Sequence, residues 1–349
     1  MAERHPFSDI SWQVSEPEYR ADIALSYSTL KKYESEGKFR AIPLLAESIS
    51  TPSLIFGSLV DALVTGGYGE FENLFLVADL PDISENLQNI ARVLHERFED
   101  MQFDEIPDNA LAQIGKECDF YASDKYASYR TKLIRENCRE YFNILTSATG
   151  KTLVSQKDYD DAVRCQEALI ESPYTGHFFK TSDDVENYYQ LKFKGEDPET
   201  HVPYRCMADI IRVDHSAKTV LPIDLKTSSK PEEEFPKSYL QYMYNLQSRN
   251  YYRRIKAAML QDDYYKDFKL LDYTFLVVNR ATLSPLPWQD NKTQVSGTVE
   301  YNTPSGRKIA IRDPYEIGKE VWYYLYNQSQ YPMGVGHENS ITKYIETTY

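Results

Sequence analysis

The sequence predicts an α/β protein, a mixed β-sheet flanked by helices with a helical insertion. Three observations predict it. PYRCMADIIRVD and TVLPIDLKT read as strands either side of a turn-like DHSAK. Helical periodicity fills residues 83–170. Strands and helices then mix without strict alternation, which argues for a mixed sheet.

Taken in order, residues 1–20 read as an irregular arm. ALSYSTLKKYESEGKFR is a short helix with Ser26 or Ser28 as N-cap candidate. SLIFGSLVDALVTGG is a buried helix ended by Gly66 and Gly67. SENLQNIARVLHERFEDM, KYASYRTKLIRENCREYFNIL and QKDYDDAVRCQEALIES carry helical patterns. Strands begin at VENYYQLKFK and continue through the two segments named above. One long helix is expected over EEEFPKSYLQYMYNLQSRNYYRRIKAAMLQ, then a strand at DYTFLVVNR and a polar loop at 281–297. Weak strands at GTVEYN and RKIAIR precede a closing helix, DPYEIGKEVWYYLYNQSQ. The whole reads as a single domain over 1–349: the arm, a mainly helical insertion at 66–170, a sheet and helix at 180–312, and a helical segment at 313–349.

With 349 residues, 42% of them hydrophobic, the chain can bury a sizeable core. No apolar run approaches the ~20 residues of a membrane span. The N-terminus has no signal-peptide apolar region, so the expected location is cytoplasmic. Cys118, Cys138, Cys165 and Cys206 are widely spaced, which argues against a zinc ribbon or an iron–sulfur cluster and for buried free thiols. The net charge of −14 does not suggest a general nucleic-acid binder, so any contact with DNA needs a local basic patch. SATGKT ends like a phosphate-binding loop, but Leu145 stands where its first glycine belongs. GGYGE lacks the strand-to-helix setting of a dinucleotide fingerprint.

Chemistry concentrates at VLPIDLKTSSK. In a strand, residues i and i+2 share a face, so Asp224 and Lys226 project together while Leu221, Ile223 and Leu225 face a core on the other side. If Val213 pairs with Val220, the antiparallel register sets Asp209 opposite Asp224, two carboxylates ~5 Å apart with a lysine beside them. Facing like charges are costly, and a divalent cation reverses that cost. On its own, an acid-x-Lys triplet reads as an incidental ion pair. Two further segments add weight. Asp61 is the lone charge of IFGSLVDALV, either at a buried edge or a ligand. Gln247 and Tyr251 are i and i+4 on one helix face, with Arg254 close to it.

In this order the pieces resemble the PD-(D/E)xK nuclease superfamily, in particular its RecB-like and exonuclease VIII-like (RecE-type) branch, over about residues 24–280. The matching elements are S-x-S-x-L-K (Ser26, Ser28, Leu30, Lys31), FGSLVDALV, the glutamate-bearing VENYYQLKFK, MADII, IDLKT and the Q-x-x-x-Y of QSRNY. The resemblance implies a restriction-endonuclease-like core. It implies Mg²⁺, with Mn²⁺ able to substitute, held by Asp209 and Asp224, and Lys226 positioning or deprotonating the attacking water. Gln247 and Tyr251 would support the site, and Glu186 would bind metal or a terminal phosphate. Asp61 stands where the family commonly has histidine, so the implied metal set would take an aspartate in that place, and Ala208 before Asp209 departs from the P-D of the family label. Arg249, Arg253, Arg254, Lys256, Lys151 and Lys230 are candidates for a phosphate track. The implied function is a DNA exonuclease on duplex ends in recombination or repair, of phage or prophage type, acting in the host cytosol. A single-strand annealing recombinase and a homo-oligomer are implied partners. The alternatives are an endonuclease of the same fold in defence or restriction, and a non-catalytic DNA-binding protein that kept the fold.

Overall fold

The computed structural model describes residues 3–36, 51–148, 150–303 and 306–326. The chain forms two compact units, one comprising Met1–Thr51 and Cys165–Tyr349, the other Pro52–Arg164. The helical insertion therefore starts earlier than the sequence suggests and takes in the FGSLVDALV helix.

The N-terminal stretch is more ordered than an irregular arm. Phe7–Ile10 is a 3-10 turn, and Glu16–Ala21 is helix α1. A capping box starts α1: the Ser15 side chain accepts from the Glu18 amide, and Glu18 accepts from the Ser15 amide at 2.9 Å. Phe7 is fully buried, packed on Tyr265 with centroids 4.9 Å apart. Helix α2 (Tyr27–Glu36) is capped by Ser26, whose hydroxyl accepts from the Thr29 amide at 3.4 Å. Residues 37–40 of the expected helix lie outside the described residues.

The helical unit holds α3 (Pro52–Thr65), α4 (Gly67–Leu74), β1 (Phe75–Val77), α5 (Glu85–Arg97), α6 (Asp108–Glu117), α7 (Ala127–Asn137), α8 (Arg139–Ala148) and β2 (Thr152–Val154). Gly67 takes φ 63 where α3 ends, a left-handed position that suits glycine. The stretch expected as one helix across 125–145 divides into α7 and α8 at Cys138, whose buried thiol meets the Leu87 carbonyl at 3.4 Å. Ile90, Leu94, Leu111, Ile134 and Phe142 form this unit's core. Helix α9 (Gln156–Glu171) leads out of it.

The sheet unit follows: β3 (Val185–Glu196), β4 (Pro203–Asp214), β5 (Thr219–Ser228), α10 (Phe235–Gln241), α11 (Tyr244–Leu260), β6 (Lys269–Leu270), β7 (Thr274–Asn279), β8 (Leu286–Gln289), β9 (Val299–Asn302), β10 (Lys308–Ile311) and α12 (Pro314–Tyr326). Residues 327–330 of the expected closing helix, and the rest of the tail, lie outside the described residues. The sheet order is β3-β4-β5-β7-β8, with β6 also on β5. The β5–β7 pair is parallel and the β3–β4, β4–β5 and β7–β8 pairs antiparallel, so the sheet is mixed, as expected. β9 and β10 pair separately as a ribbon. Two local expectations differ. The polar loop at 281–297 contains β8, whose Pro287 is tolerated on an edge strand. The expected long helix breaks into α10 and α11 at Met243, which takes φ 53.

Helix α11 lies across β3 and β4. Its Tyr251, Ile255 and Met259 join Val213, Val220, Phe275 and Phe7 in the main core. The expected one-sided facing of β5 does not hold, although Ile223 is fully buried as expected. Val220 and Asp224 are on the deeply buried face, while Leu221 and Leu225 are half-buried. The apolar alternation of β5 is equally compatible with either face, and the cover of α11 decides it.

Phe7→Ala removes a fully buried ring that anchors the N-terminal stretch to this core. Urea unfolding should show a loss of about 3–5 kcal/mol. A loss under about 1 kcal/mol would mean that the anchor is not part of the cooperative core.

Candidate active site

Val213 pairs with Val220, and the β4–β5 ladder ends at Ile210↔Ile223. One step further in that register stand Asp209 and Asp224. Here the two strands part. From Asp224 to Ser228, β5 pairs with β7 alone. The Leu225 amide donates to the Asp209 carboxylate at 2.8 Å. On the other side of β4, the β3 pairing skips between Tyr189↔Ile210 and Leu191↔Ala208, where Gln190 takes φ 52. Left-handed backbone at a bulky residue is uncommon and concentrates at functional sites.

The open end of this fork is filled from the N-terminal side. Leu25 bridges Tyr204 in parallel, exchanging 2.9 Å bonds with the Pro203 carbonyl and the Arg205 amide. That contact delivers the start of α2 beside the fork. Tyr27 donates its hydroxyl to the Tyr242 carbonyl at 2.6 Å and packs 6.2 Å from the Tyr244 ring.

Asp224 is 1% exposed. Such a carboxylate needs local neutralisation. Lys226 ion-pairs with its Oδ2. Gln247 Nε2 donates to its Oδ1 at 2.5 Å, and the Tyr273 hydroxyl approaches Oδ1 at 3.5 Å. Burial pushes the Lys226 ammonium down, but Asp224, Tyr244 and Asp209 outweigh it and hold its pKa above the ordinary value. The ammonium rests 5.0 Å from the Tyr244 ring centroid. Burial, then the nearby carboxylates, holds Tyr273 well above the usual phenol range. For Tyr251 burial leads too, followed by Tyr19, Cys206 and the two aspartates. Both phenols therefore stay protonated. Tyr251 packs edge-on to Tyr273, centroids 5.9 Å apart.

The fork thus brings together Asp209, Asp224, Lys226, Gln247 and Tyr251. Their oxygen donors suit a hard cation. Asp209 and Asp224 offer carboxylates, and Gln247 Oε1 is buried without a hydrogen-bond partner. Among the described residues no group of three His, Cys, Asp or Glu side chains gathers at metal-binding reach. A cation here would complete its shell with amide, backbone or water oxygens.

Glu186 does not join the fork. Glu186 pairs with Val213, four positions from Asp209 on β4 and so roughly 13 Å along the strand. It is held by Arg4 at 2.7 Å, by His215 at 3.1 Å and by the Tyr188 hydroxyl. Burial raises its carboxyl, and the bonds from Tyr188, His215 and Arg4 more than reverse this, to about 2. Asp61 belongs to the helical unit, on α3, where its backbone carbonyl accepts from the Thr65 hydroxyl at 2.8 Å.

The expected phosphate track on α11 is corrected. Arg249 is fully buried, bonded to Asp313 at 2.7 Å and to the carbonyls of Gly297 and Val295 at 2.5 and 3.1 Å. Arg253 makes a two-pronged pair with Asp313 at 2.6 and 2.7 Å. Arg254 is 3% exposed and bonded to the Glu196 carbonyl and the Tyr315 hydroxyl. These guanidiniums tie α11 to the segments around β9 and α12. Lys230 is near the fork end of β5 and reaches Gln241 at 3.5 Å. Lys151 and Lys256 are half-buried.

Sequence reasoning gave no role to three residues here: Tyr273, Tyr244 and Lys31. The Lys31 ammonium is 4.7 Å from the Tyr242 ring centroid, and the Tyr242 and Tyr244 centroids are 5.7 Å apart. Burial and then the neighbouring Lys226 push the Lys31 pKa down. Its only sequence signal was its place in S-x-S-x-L-K.

The four cysteines are free thiols, three of them buried. No helix among the described residues is long and apolar enough to cross a membrane. The chain matches no protein-family model, and no curated protein is similar enough to count as a match.

The Glu186 cluster carries a pH prediction. A carboxyl held at about 2 in the folded chain, against an ordinary 4.5, stabilises the fold fully above pH 4.5 and loses that contribution as pH falls toward 2. Glu186→Gln should flatten this part of the curve of urea midpoint against pH. Identical acid limbs for the two proteins would exclude the ionised Glu186 as an anchor of the N-terminal stretch.

Proposed function

We propose that the chain is a Mg²⁺-dependent deoxyribonuclease with a restriction-endonuclease-like core. On this reading it belongs with the RecB-like and exonuclease VIII-like branch of the PD-(D/E)xK superfamily. It hydrolyses DNA phosphodiester bonds, working from duplex ends. The observation that carries the reading is the Val213↔Val220 register. It sets Asp209 and Asp224 side by side at a fork, with Lys226 on the same strand and Gln247 reaching in from α11.

Asp209 and Asp224 would hold Mg²⁺, and the Gln247 amide oxygen is a further hard donor beside them. When bound, the ion supplies Lewis-acid polarisation of the phosphate and a more acidic water. Lys226, kept protonated, donates to the water or to a phosphate oxygen. Gln247 fixes the Asp224 carboxylate through Oδ1 and leaves Oδ2 to Lys226. Tyr251 and Tyr273 wall the site with protonated phenols. With the α11 arginines committed inside the fold, Lys31, Lys226 and Lys230 are, among the described residues, cations placed to meet the DNA backbone near the fork. On this reading the protein works in the cytosol, where a single-strand annealing recombinase and further copies of the chain are its candidate partners.

Linear and covalently closed duplex DNA, end-labelled on either strand, should be treated with the protein and Mg²⁺. Degradation of the linear form from its ends supports an exonuclease. Cutting of the closed circle supports an endonuclease of the same fold. Binding without cutting identifies a DNA-binding protein that kept the fold.

Two variants test the assignments. Lys226→Ala should reduce cleavage at least about a hundredfold, on the scale of a lost proton-transfer or charge-stabilising group. Cleavage near the wild-type rate would remove Lys226 from the chemistry. Asp224→Asn leaves a buried ammonium without its partner, so the metal-free protein should lose about 3 kcal/mol. Mg²⁺ should raise the Tm of the wild type and not that of this variant. An equal rise in both would show that Asp224 is not a ligand.

A further inference from the structure

At the lip of the fork, the adjacent rings of Tyr244 and Tyr242 form a row with an ammonium at each end, Lys226 and Lys31. The steps are Lys226 to Tyr244 at 5.0 Å, Tyr244 to Tyr242 at 5.7 Å and Tyr242 to Lys31 at 4.7 Å. The hydrolytic step proposed above uses only the first of these. Tyr242 is 38% exposed, although only the Tyr244 ring stands between it and the Lys226 ammonium that pairs with buried Asp224. Its backbone is held on both sides. The Tyr242 amide donates to Ser238 at 2.9 Å, and its carbonyl accepts from Tyr27 at 2.6 Å. The next residue, Met243, takes φ 53 and breaks the α10–α11 helix there. A left-handed methionine is costly backbone, and here it turns a tyrosine outward at the mouth of a site. Lys31 has no carboxylate partner among the described residues, in a chain of net charge −14. Lys226 is close enough to repel its charge. Two ammoniums flanking one pair of rings, one of them without a carboxylate partner among the described residues, form a place for an anion, and the exposed Tyr242 ring next to Lys31 is a place for a base.

We propose that Tyr242 stacks an unpaired terminal base of DNA while Lys31 contacts the phosphate beside that base. The site would then receive strand ends already separated from their complement. This inference deepens the nuclease reading and rests on it for the choice of DNA. Stacking on an aromatic ring is tolerant of sequence, because every base presents a π-face, so the row gives selectivity for an unpaired end over a paired one. Lys31, brought in by α2, and Tyr242, at the α10–α11 break, both belong to the sheet unit.

The test uses the full chain in magnesium-free buffer with EDTA. The probes are a duplex with short unpaired ends carrying 2-aminopurine at the terminal position, and a blunt duplex of the same sequence. Wild-type protein should quench the 2-aminopurine fluorescence. Tyr242→Leu should abolish the quenching and weaken binding to the frayed duplex on the order of tenfold, with blunt-duplex affinity unchanged. Tyr242→Phe, which keeps the ring, should behave like the wild type. Lys31→Met should lower the slope of log affinity against log salt by about one. Full quenching by Tyr242→Leu, or equal losses on frayed and blunt duplexes, overturns the stacking role. A parallel Mg²⁺ cleavage assay separates the two claims. If the wild type cuts DNA and Tyr242→Leu still quenches, only this inference falls. If the wild type does not cut but quenching depends on Tyr242, the nuclease reading falls and the stacking site stands. If the wild type neither cuts nor quenches, both fall.

Discussion

A carboxylate with 1% of its surface exposed, inside a six-stranded sheet, has to be neutralised where it stands. Asp224 meets that requirement through Lys226 two residues along its own strand and Gln247 from the helix above. The surrounding architecture follows from this pairing. Lys226 can reach Asp224 because both point to the same face of β5. Gln247 can reach it because α11 crosses that face. Gln247 is also where the helix surface turns from apolar to polar: Asn245, Gln247, Ser248 and Asn250 are all buried on α11, an unusual number for one helix. Such a helix needs external ties, and the three guanidiniums of Arg249, Arg253 and Arg254 provide them through Asp313, Glu196 and Tyr315.

The second constraint is the fork. Antiparallel strands that stayed paired past Ile210↔Ile223 would put the Asp209 and Asp224 carboxylates directly against each other. Parting the strands relieves this. It frees the Leu225 amide to bind Asp209 and opens a gap that Leu25 closes from the N-terminal side. The gap also explains why α2, nearly two hundred residues away in sequence, stands at the site, and why Lys31 from it rests on the Tyr242 ring. The polar chemistry of the fork and the placement of the N-terminal helix are two results of one departure from regular pairing.

Much of this was legible beforehand, and the reason is local. The β4–β5 hairpin has a turn-like connection and an alternation with period two, so its register could be written down from Val213 and Val220 and the two acids found from it. The mixed sheet, the Ser26 cap and the helical insertion follow from equally short-range signals: capping residues, helical periodicity and turns. These depend on neighbours within a few positions, which the sequence displays directly.

What the sequence could not decide depends on which face meets which partner. The two faces of β5 are both apolar enough to be buried, so only the docking of α11 determined that the Asp224 face is deeply buried as well as Ile223. The basic run on α11 looked like a solvated or DNA-facing stripe. Its arginines turn inward because Asp313 and the carbonyls near 295–297 come from more than forty residues downstream. The family resemblance makes Glu186 a metal or phosphate ligand, yet the β3–β4 register sets it along the sheet with Arg4 and His215. The long helix broke at Met243, where the contacts of Tyr242 and Tyr244 with Tyr27 and Lys226 outweigh helix propensity. The sequence by itself determined the β3–β5 strands, the Ser26 cap and the acid–acid–lysine register, because these are written in residues that are neighbours along the chain. The tertiary structure alone decided facing, burial and charge partners, because each depends on a residue whose distance in sequence carries no trace of its nearness in space.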